Sequence, residues 1–301
     1  VEVISSLSIS VHAGEIVAVV GASGSGKTLL ADAVLGLFEP NATVRGRIWF
    51  DGKLQDAGGL ARLRGNGVSL VPQSVNNLDP LMRVGRQVEG FARPDVPHAE
   101  RRRRRAGLFE RYGLSEETAR LYPFELSGGQ QRRVAFAGVL AMRPTKLILD
   151  EPVAGLDPAA RNDFLNLISD LHESGLTVVM VSHTMDDLAR YCDRVLVLKE
   201  GSLFTLGTPA EVFSHASELR DIGLGVPSAQ KLANDLREAG IHLNGELYDT
   251  QSLADALATL YRKRSSASPD ALDVPNAQEE PRTADAPFAS GIEGNEASCP
   301  K

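Results

Sequence analysis

Cysteine is almost missing from this 301-residue chain: there are two, Cys192 and Cys299, in unrelated contexts. Neither a disulfide framework nor a cysteine-based metal site is implied. No apolar stretch approaches the ~20 residues that span a bilayer, no signal-peptide pattern stands at the front, and there are no internal repeats. A strong charge of either sign is also absent from most of the chain. The net charge is −7, but residues 265–301 hold seven acids against two bases, so −5 of it belongs to that stretch. What remains is close to neutral and gives no overall case for nucleic-acid binding. Residues 264–301 are rich in Ala, Ser and Pro and poor in large apolar side chains. Such a segment cannot bury enough surface to offset its ordering entropy, so a disordered acidic tail is expected there. The densest charge run, Arg101–Arg105, reads as a solvated helix face.

What is present is concentrated in a few short motifs. The octapeptide Gly21-Ala22-Ser23-Gly24-Ser25-Gly26-Lys27-Thr28 follows an apolar, β-branched run, Glu15–Val20, and leads into a helix-forming segment. Strand, tight loop and helix are predicted in that order. Glycines let the backbone approach phosphates and aim N–H groups inward, and the helix N-terminus adds a favourable dipole. In such a loop Lys27 reaches the β- and γ-phosphates and the Thr28 hydroxyl sits on Mg²⁺.

A second apolar run, Lys146–Leu149, ends in Asp150 and Glu151. Asp150 at a strand end can hold Mg²⁺, directly or through water, and Glu151 can accept a proton from an attacking water. Taken alone, the pair fits equally well a strand that happens to end in acidic turn residues. Its position about twenty residues after Leu126-Ser127-Gly128-Gly129-Gln130 favours the chemical reading.

The order Gly21–Thr28, Gln73, Leu126–Gln130, Leu147–Glu151, Gly155-Leu156-Asp157 and His183 resembles that of an ATP-binding cassette (ABC) ATPase, over roughly residues 1–215. The LSGGQ run is the most specific element, because phosphate loops occur in many NTPases. The resemblance implies an α/β P-loop NTPase core with an antiparallel β subdomain and a helical subdomain. It further implies that Gln73 touches Mg²⁺ and the attacking water, and that His183 contacts the γ-phosphate. Ser127, Gly128, Gly129 and Gln130 would close over the ATP of a second subunit, with Asp157 crossing the interface. Two cassettes, alike or different, would then pack head to tail with two Mg·ATP between them. Integral membrane permease or scaffold subunits are the expected further partners, at the cytoplasmic face of the cell membrane, and no nucleic acid is expected.

The two halves resemble different importer groups. Gly21–Ala31, Val44–Gly52 and Val71–Leu81 look like ATPases of peptide and nickel importers. Tyr122–Ala141, Gly207–Phe213, Gly223–Pro227 and the Lys231–Gly240 helix look like energy-coupling-factor ATPases of cobalt, nickel and vitamin importers. The second match is the longer, which favours an energy-coupling-factor ATPase for a metal ion or vitamin. Val153 stands where many cassettes have Thr, and the usual charged or aromatic neighbours of Gln73 in that group are missing. Soluble cassettes acting on ribosomes or DNA fit less well. Only one phosphate loop and one LSGGQ occur, and the roughly hundred residues between them leave no room for a long coiled coil.

The same reading divides the chain into a nucleotide-binding domain at 1–214, a small α-rich appendage at 215–263 and the tail at 264–301. Within the first, β segments are expected at Val3–Val11 and Val44–Phe50, a helical insertion at about 75–140, and strands near Leu147–Leu149, Thr177–Val181 and Arg194–Leu198. Glu200-Gly201 signals a hairpin, and Thr208-Pro209 with Glu211 signals a capped helix start. Ser252–Tyr261 has amphipathic helical spacing. Val1 opens the chain already inside a β pattern, so a start further upstream is expected. The aromatic that stacks on adenine in the resembled family would lie there.

Overall fold

The computed structural model describes residues 2–38, 41–73, 78–92, 95–243, 245 and 247–267. The apolar run after Glu15 forms β1 (Ile16–Gly21), buried at every position. It leads through the glycine loop into α1 (Lys27–Val34). A hairpin follows, β2 (Ile48–Phe50) and β3 (Lys53–Gln55), turned by Asp51 and Gly52 at φ 49° and 74°. Then come α2 (Ala57–Leu63), capped by the Asp56 carboxylate, and β4 (Val68–Val71). Three helices make the insertion: α3 (Val84–Phe91), α4 (His98–Arg111) and α5 (Gly128–Ala141).

The core resumes with β5 (Lys146–Asp150), α6 (Pro158–Glu173), β6 (Thr177–Val181), α7 (Met185–Tyr191), β7 (Arg194–Lys199) and β8 (Ser202–Gly207). Helices α8 (Pro209–Ser214), α9 (Ala216–Asp221), α10 (Ser228–Glu238) and α11 (Thr250–Ala267) complete the described chain. Residues 1–258 make one compact unit, and the last described residues, 259–267, continue α11.

Six strands share one sheet in the order β4-β5-β6-β1-β7-β8, parallel except for β8. Alternate residues of β1 enter different apolar clusters. Ile16, Ala18 and Val20 join Leu147, Leu149, Phe164 and Ile168, while Val17 and Val19 join Val181, Leu196 and Leu198. Both faces of the strand are therefore buried, which is why it reads as a continuous apolar run rather than an alternating one. Because β5, β6 and β1 run parallel and in register, Asp150, Val181 and Gly21 end at one edge of the sheet. In open α/β sheets ligands bind at that carboxyl edge.

Several local expectations change. Val3–Val11 is not a strand; Ser5 N–H donates to Gly201 O at 2.9 Å, while Ile9 and Val11 stay exposed. The alternating pattern is present, but among the described residues no strand pairs with it to complete a ladder. Val44–Phe50 shortens to the three residues of β2, with Val44 and Trp49 exposed. Helix α2 and strand β4 were not foreseen, the strand being only four residues long.

The arginine run does not form a uniformly solvated face. Arg102 and Arg103 are exposed, but Arg105 is buried. It donates to both oxygens of Glu116 at 2.5 and 2.8 Å and to Glu89 at 3.1 Å, with its guanidinium over the Phe109 ring. The amphipathic segment 252–261 lies inside α11, which continues to Ala267. The tail from residue 268 onward and Ser74–Asn77, beside Gln73, lie outside the described residues.

Candidate active site

The loop after β1 is shaped by its glycines. At Gly21 a Cβ would stand 2.3 Å from Ser25 Oγ and 2.6 Å from Leu198 O, so the loop can fold back over the strand end only if no side chain is there. Gly24 and Gly26 have φ of 78° and 98°, a conformation that L side chains adopt at a cost. Gly26 is also the N-cap of α1. Ala22 O accepts the Ser25 N–H, closing the turn, and Ser23 is exposed on it. Ser25 Oγ is buried against Gly21, with no hydrogen-bond partner among the described residues.

Lys27 Nζ donates to Gly21 O at 2.7 Å and to Ala22 O at 2.9 Å, which folds the ammonium over the loop. Burial lowers its pKa, and the nearby Glu151 and Asp150 charges oppose that shift. Thr28 Oγ1 donates to Asp150 Oδ2 at 3.4 Å. Asp150 is buried, and its pKa is raised first by desolvation and then by the adjacent Glu151 charge. A hydroxyl beside a desolvated carboxylate is the hard-oxygen pair that suits Mg²⁺, which usually takes one or two carboxylates and leaves the rest of its shell to water and phosphates. The described residues hold no cluster of three or more His, Cys, Asp or Glu for a metal.

Glu151 is a non-glycine residue at φ 48°. Such conformations cost on the order of 1–3 kcal/mol and persist where the surroundings hold them. Here the Glu151 N–H donates to Val181 O at 2.9 Å, and the carboxylate meets His183 Nδ1 at 2.8 Å. His183 itself is 67% exposed. The two line a cleft of about 170 Å³ with Gly155, Leu156, Arg161 and Ser182.

The remaining predicted residues stand apart. Ser127 is the N-cap of α5 and Gln130 completes a reciprocal capping box: Ser127 Oγ accepts from Gln130 N at 3.3 Å and Gln130 Oε1 from Ser127 N at 3.0 Å. Gly128 and Gly129 have open space where a Cβ would be. Among the described residues none of these four bonds to the phosphate loop, Asp150 or Glu151. Asp157 caps α6, accepting from Ala160 N at 3.0 Å.

Gln73 is joined to the site through a residue that the motif reading passed over, Arg132. Its guanidinium donates to Pro152 O at 2.9 Å, Ala154 O at 2.5 Å and Gln73 O at 3.4 Å. Burial lowers its pKa. The signal was in plain view, a cation two residues after the LSGGQ run, but which carbonyls it would meet depends on the packing.

The profile of the family described as "ABC transporter" matches residues 4–154. The energy-coupling factor transporter ATP-binding protein EcfA2 of Symbiobacterium thermophilum is 44% identical over 236 residues, 78% of this chain and 81% of that protein. The chain belongs to the ABC transporter family. EcfA1 of the same organism is 40% identical to this ABC ATPase over 258 residues, 85% of this chain and 88% of that protein.

Among solved structures, cbiO1 of Clostridium perfringens, part of the ABC transporter complex cbiONQ, matches with a TM-score of 0.64 at 32% identity. That match covers 78% of this chain and 92% of the other. A dimeric ATP-binding cassette in a post-hydrolysis state, bound to ADP and Pi, matches at TM-score 0.61 and 29% identity, covering 69% and 90%. The P-loop NTPase fold and the ATP-hydrolysing transporter subunit expected from the motifs are what this chain is. The energy-coupling-factor relatives reach across both halves of the ABC ATPase, so they support that group over the peptide-importer likeness of the first half.

Proposed function

We propose that this ABC ATPase drives an importer of the energy-coupling-factor type, moving a metal ion or vitamin as one of two cassettes paired head to tail. The observation that carries the hydrolytic part is the convergence of Lys27, Thr28, Asp150, Glu151 and His183 at one sheet edge. Exposed Ser127 and Gly128, which among the described residues make no hydrogen bond to their own phosphate loop, support a site completed by a second chain.

In this reading the loop N–H groups of Gly21–Thr28 and the Lys27 ammonium hold the β- and γ-phosphates of ATP. Thr28, Asp150 and Gln73 hold Mg²⁺, which when bound offsets phosphate charge. Glu151 accepts a proton as water attacks the γ-phosphorus and the bond to ADP breaks. His183 and Lys27 steady the charge on the transferred group. Ser127, Gly128 and Gly129 of the second cassette donate to the same phosphate, with Gln130 holding their helix end and Asp157 at the interface. Loss of the γ-phosphate contacts then lets the pair open, and the partner-facing surface near Gln73 and the helical insertion passes that movement to membrane subunits. The cytoplasmic face of the membrane is the corresponding location, with no nucleic acid involved.

The deciding experiment is capture of the tagged full-length protein from its own detergent-solubilised membranes, followed by mass spectrometry. Recovery of a small membrane scaffold with a separate substrate-capture protein is expected. Two similar permeases with an extracytoplasmic binding protein would instead indicate a peptide or nickel importer, and ribosomal or DNA-bound proteins alone would overturn transport.

A further inference from the structure

Helix α7 begins immediately after His183: Thr184 is its N-cap and Met185 its first residue. It is seven residues long, too short to be stable by itself, so its placement depends on what holds its ends. Two acids in its first turn grip different neighbours. Asp187, buried, accepts from Arg161 Nε at 3.1 Å and from a terminal guanidinium nitrogen at 2.7 Å. Arg161 lies on α6, four residues beyond Asp157.

Asp186 turns to the C-terminal appendage. Its Oδ1 accepts the Ser228 N–H at 2.7 Å and its Oδ2 the Ser228 hydroxyl at 2.9 Å. Ser228 is the first residue of α10, an eleven-residue helix whose N-cap, Pro227, offers no side-chain acceptor. The Asp186 carboxylate therefore supplies the cap that α10 lacks and meets the positive end of its dipole. Leu219 and Leu224, which precede α10, belong to the same apolar core as Met185 and Leu188 of α7.

We infer that Asp186 and Ser228 are positioning residues: their clasp sets how α7 presents His183, and through it the C-terminal appendage holds the nucleotide site in its hydrolysing geometry. The inference rests on the role given to His183 above. Among the described residues neither bonds to the loop Gly21–Thr28, so the clasp acts on turnover rather than on ATP binding.

Steady-state ATP hydrolysis by the full chain, assembled with its partner subunits, tests this with Ser228→Ala, Asp186→Ala, their double variant and Ser228→Thr. Each alanine variant is expected to lower kcat about three- to tenfold with KM for ATP and nucleotide Kd held, while the loosened cap of α10 lowers Tm by only a few degrees. The double variant is expected to be no worse than either single one, because the two residues act as a unit. Ser228→Thr keeps the hydroxyl and should retain wild-type kcat. Unchanged kcat in both alanine variants, additive losses in the double variant, or a threonine variant as slow as alanine would each overturn the clasp. His183→Ala separates the two readings. If it leaves kcat intact, the role of His183 falls and the inference with it; if it abolishes turnover while the clasp variants are normal, only the inference falls.

Discussion

Glu151 combines a left-handed backbone with a 2.8 Å contact to His183, and folding alone requires neither of a carboxylate at a strand end. Glu151→Gln should keep ATP affinity, lower turnover by about 10²-fold or more and trap the ATP-bound pair. Single-turnover kinetics with size-exclusion chromatography would show it, and near-normal hydrolysis would remove Glu151 as base. Lys27→Ala should lose nucleotide affinity in a titration with a fluorescent ATP analogue; unchanged binding contradicts the phosphate-loop reading.

Asp150 poses the opposite balance. Its raised pKa means that the folded state resists its charge, so the fold bears a cost above the ordinary carboxylate pKa of 3.8, relieved as pH falls through the raised folded value. Asp150→Asn should therefore abolish hydrolysis and, without nucleotide, raise Tm at pH 7. A lower Tm in calorimetry would mean that the Thr28 bond outweighs burial and repulsion.

Helices carry a second layer of consequences. On α4 the five arginines look alike in sequence, yet one of them is an interior residue with two carboxylate partners. Arg105→Ala should destabilise by ~1–3 kcal/mol, whereas Arg103→Ala, on the exposed side, should stay within about 0.5 kcal/mol; urea titrations of the two distinguish them. On α5 the N-terminus offers Ser127 and Gly128 to solvent, while Arg132, one and a half turns on, is fastened to carbonyls at Gln73, Pro152 and Ala154. One helix thus links the surface proposed to meet a second cassette to the chain segment that follows Glu151. Elements whose signal is local were legible beforehand. The Glu200-Gly201 turn, with φ of 47° and 77°, and the Thr208–Glu211 capping box both stand where their residues put them. Val3–Val11 failed because a strand needs a partner, and alternation of apolar residues does not supply one.

For the molecule as a whole, the decisive feature is a sheet in which strands distant in sequence become neighbours. β1 lies between β6 and β7, which brings Lys27 and Thr28 to Asp150 and Glu151 across more than a hundred residues of chain. If two copies then share their sites, Lys27→Ala and Ser127→Arg chains should each be inactive alone. Mixed, they should recover part of the wild-type ATPase rate, because one of the two shared sites in the mixed pair is intact. No recovery on mixing would argue against pairing of the chain with itself.

The glycine loop after β1, the acids at the end of β5 and the Ser127–Gln130 cap were set by sequence alone, because each depends on short-range geometry. A glycine must stand where a Cβ has no room, a carboxylate at a strand end, a serine three residues before its capping partner. The burial of Arg105, the three carbonyls around Arg132, the left-handed Glu151 and the grip of Asp186 on Ser228 were decided only by the tertiary structure. Each joins residues held in place by different elements, and which partner satisfies a buried charge or an uncapped helix end depends on how those elements pack.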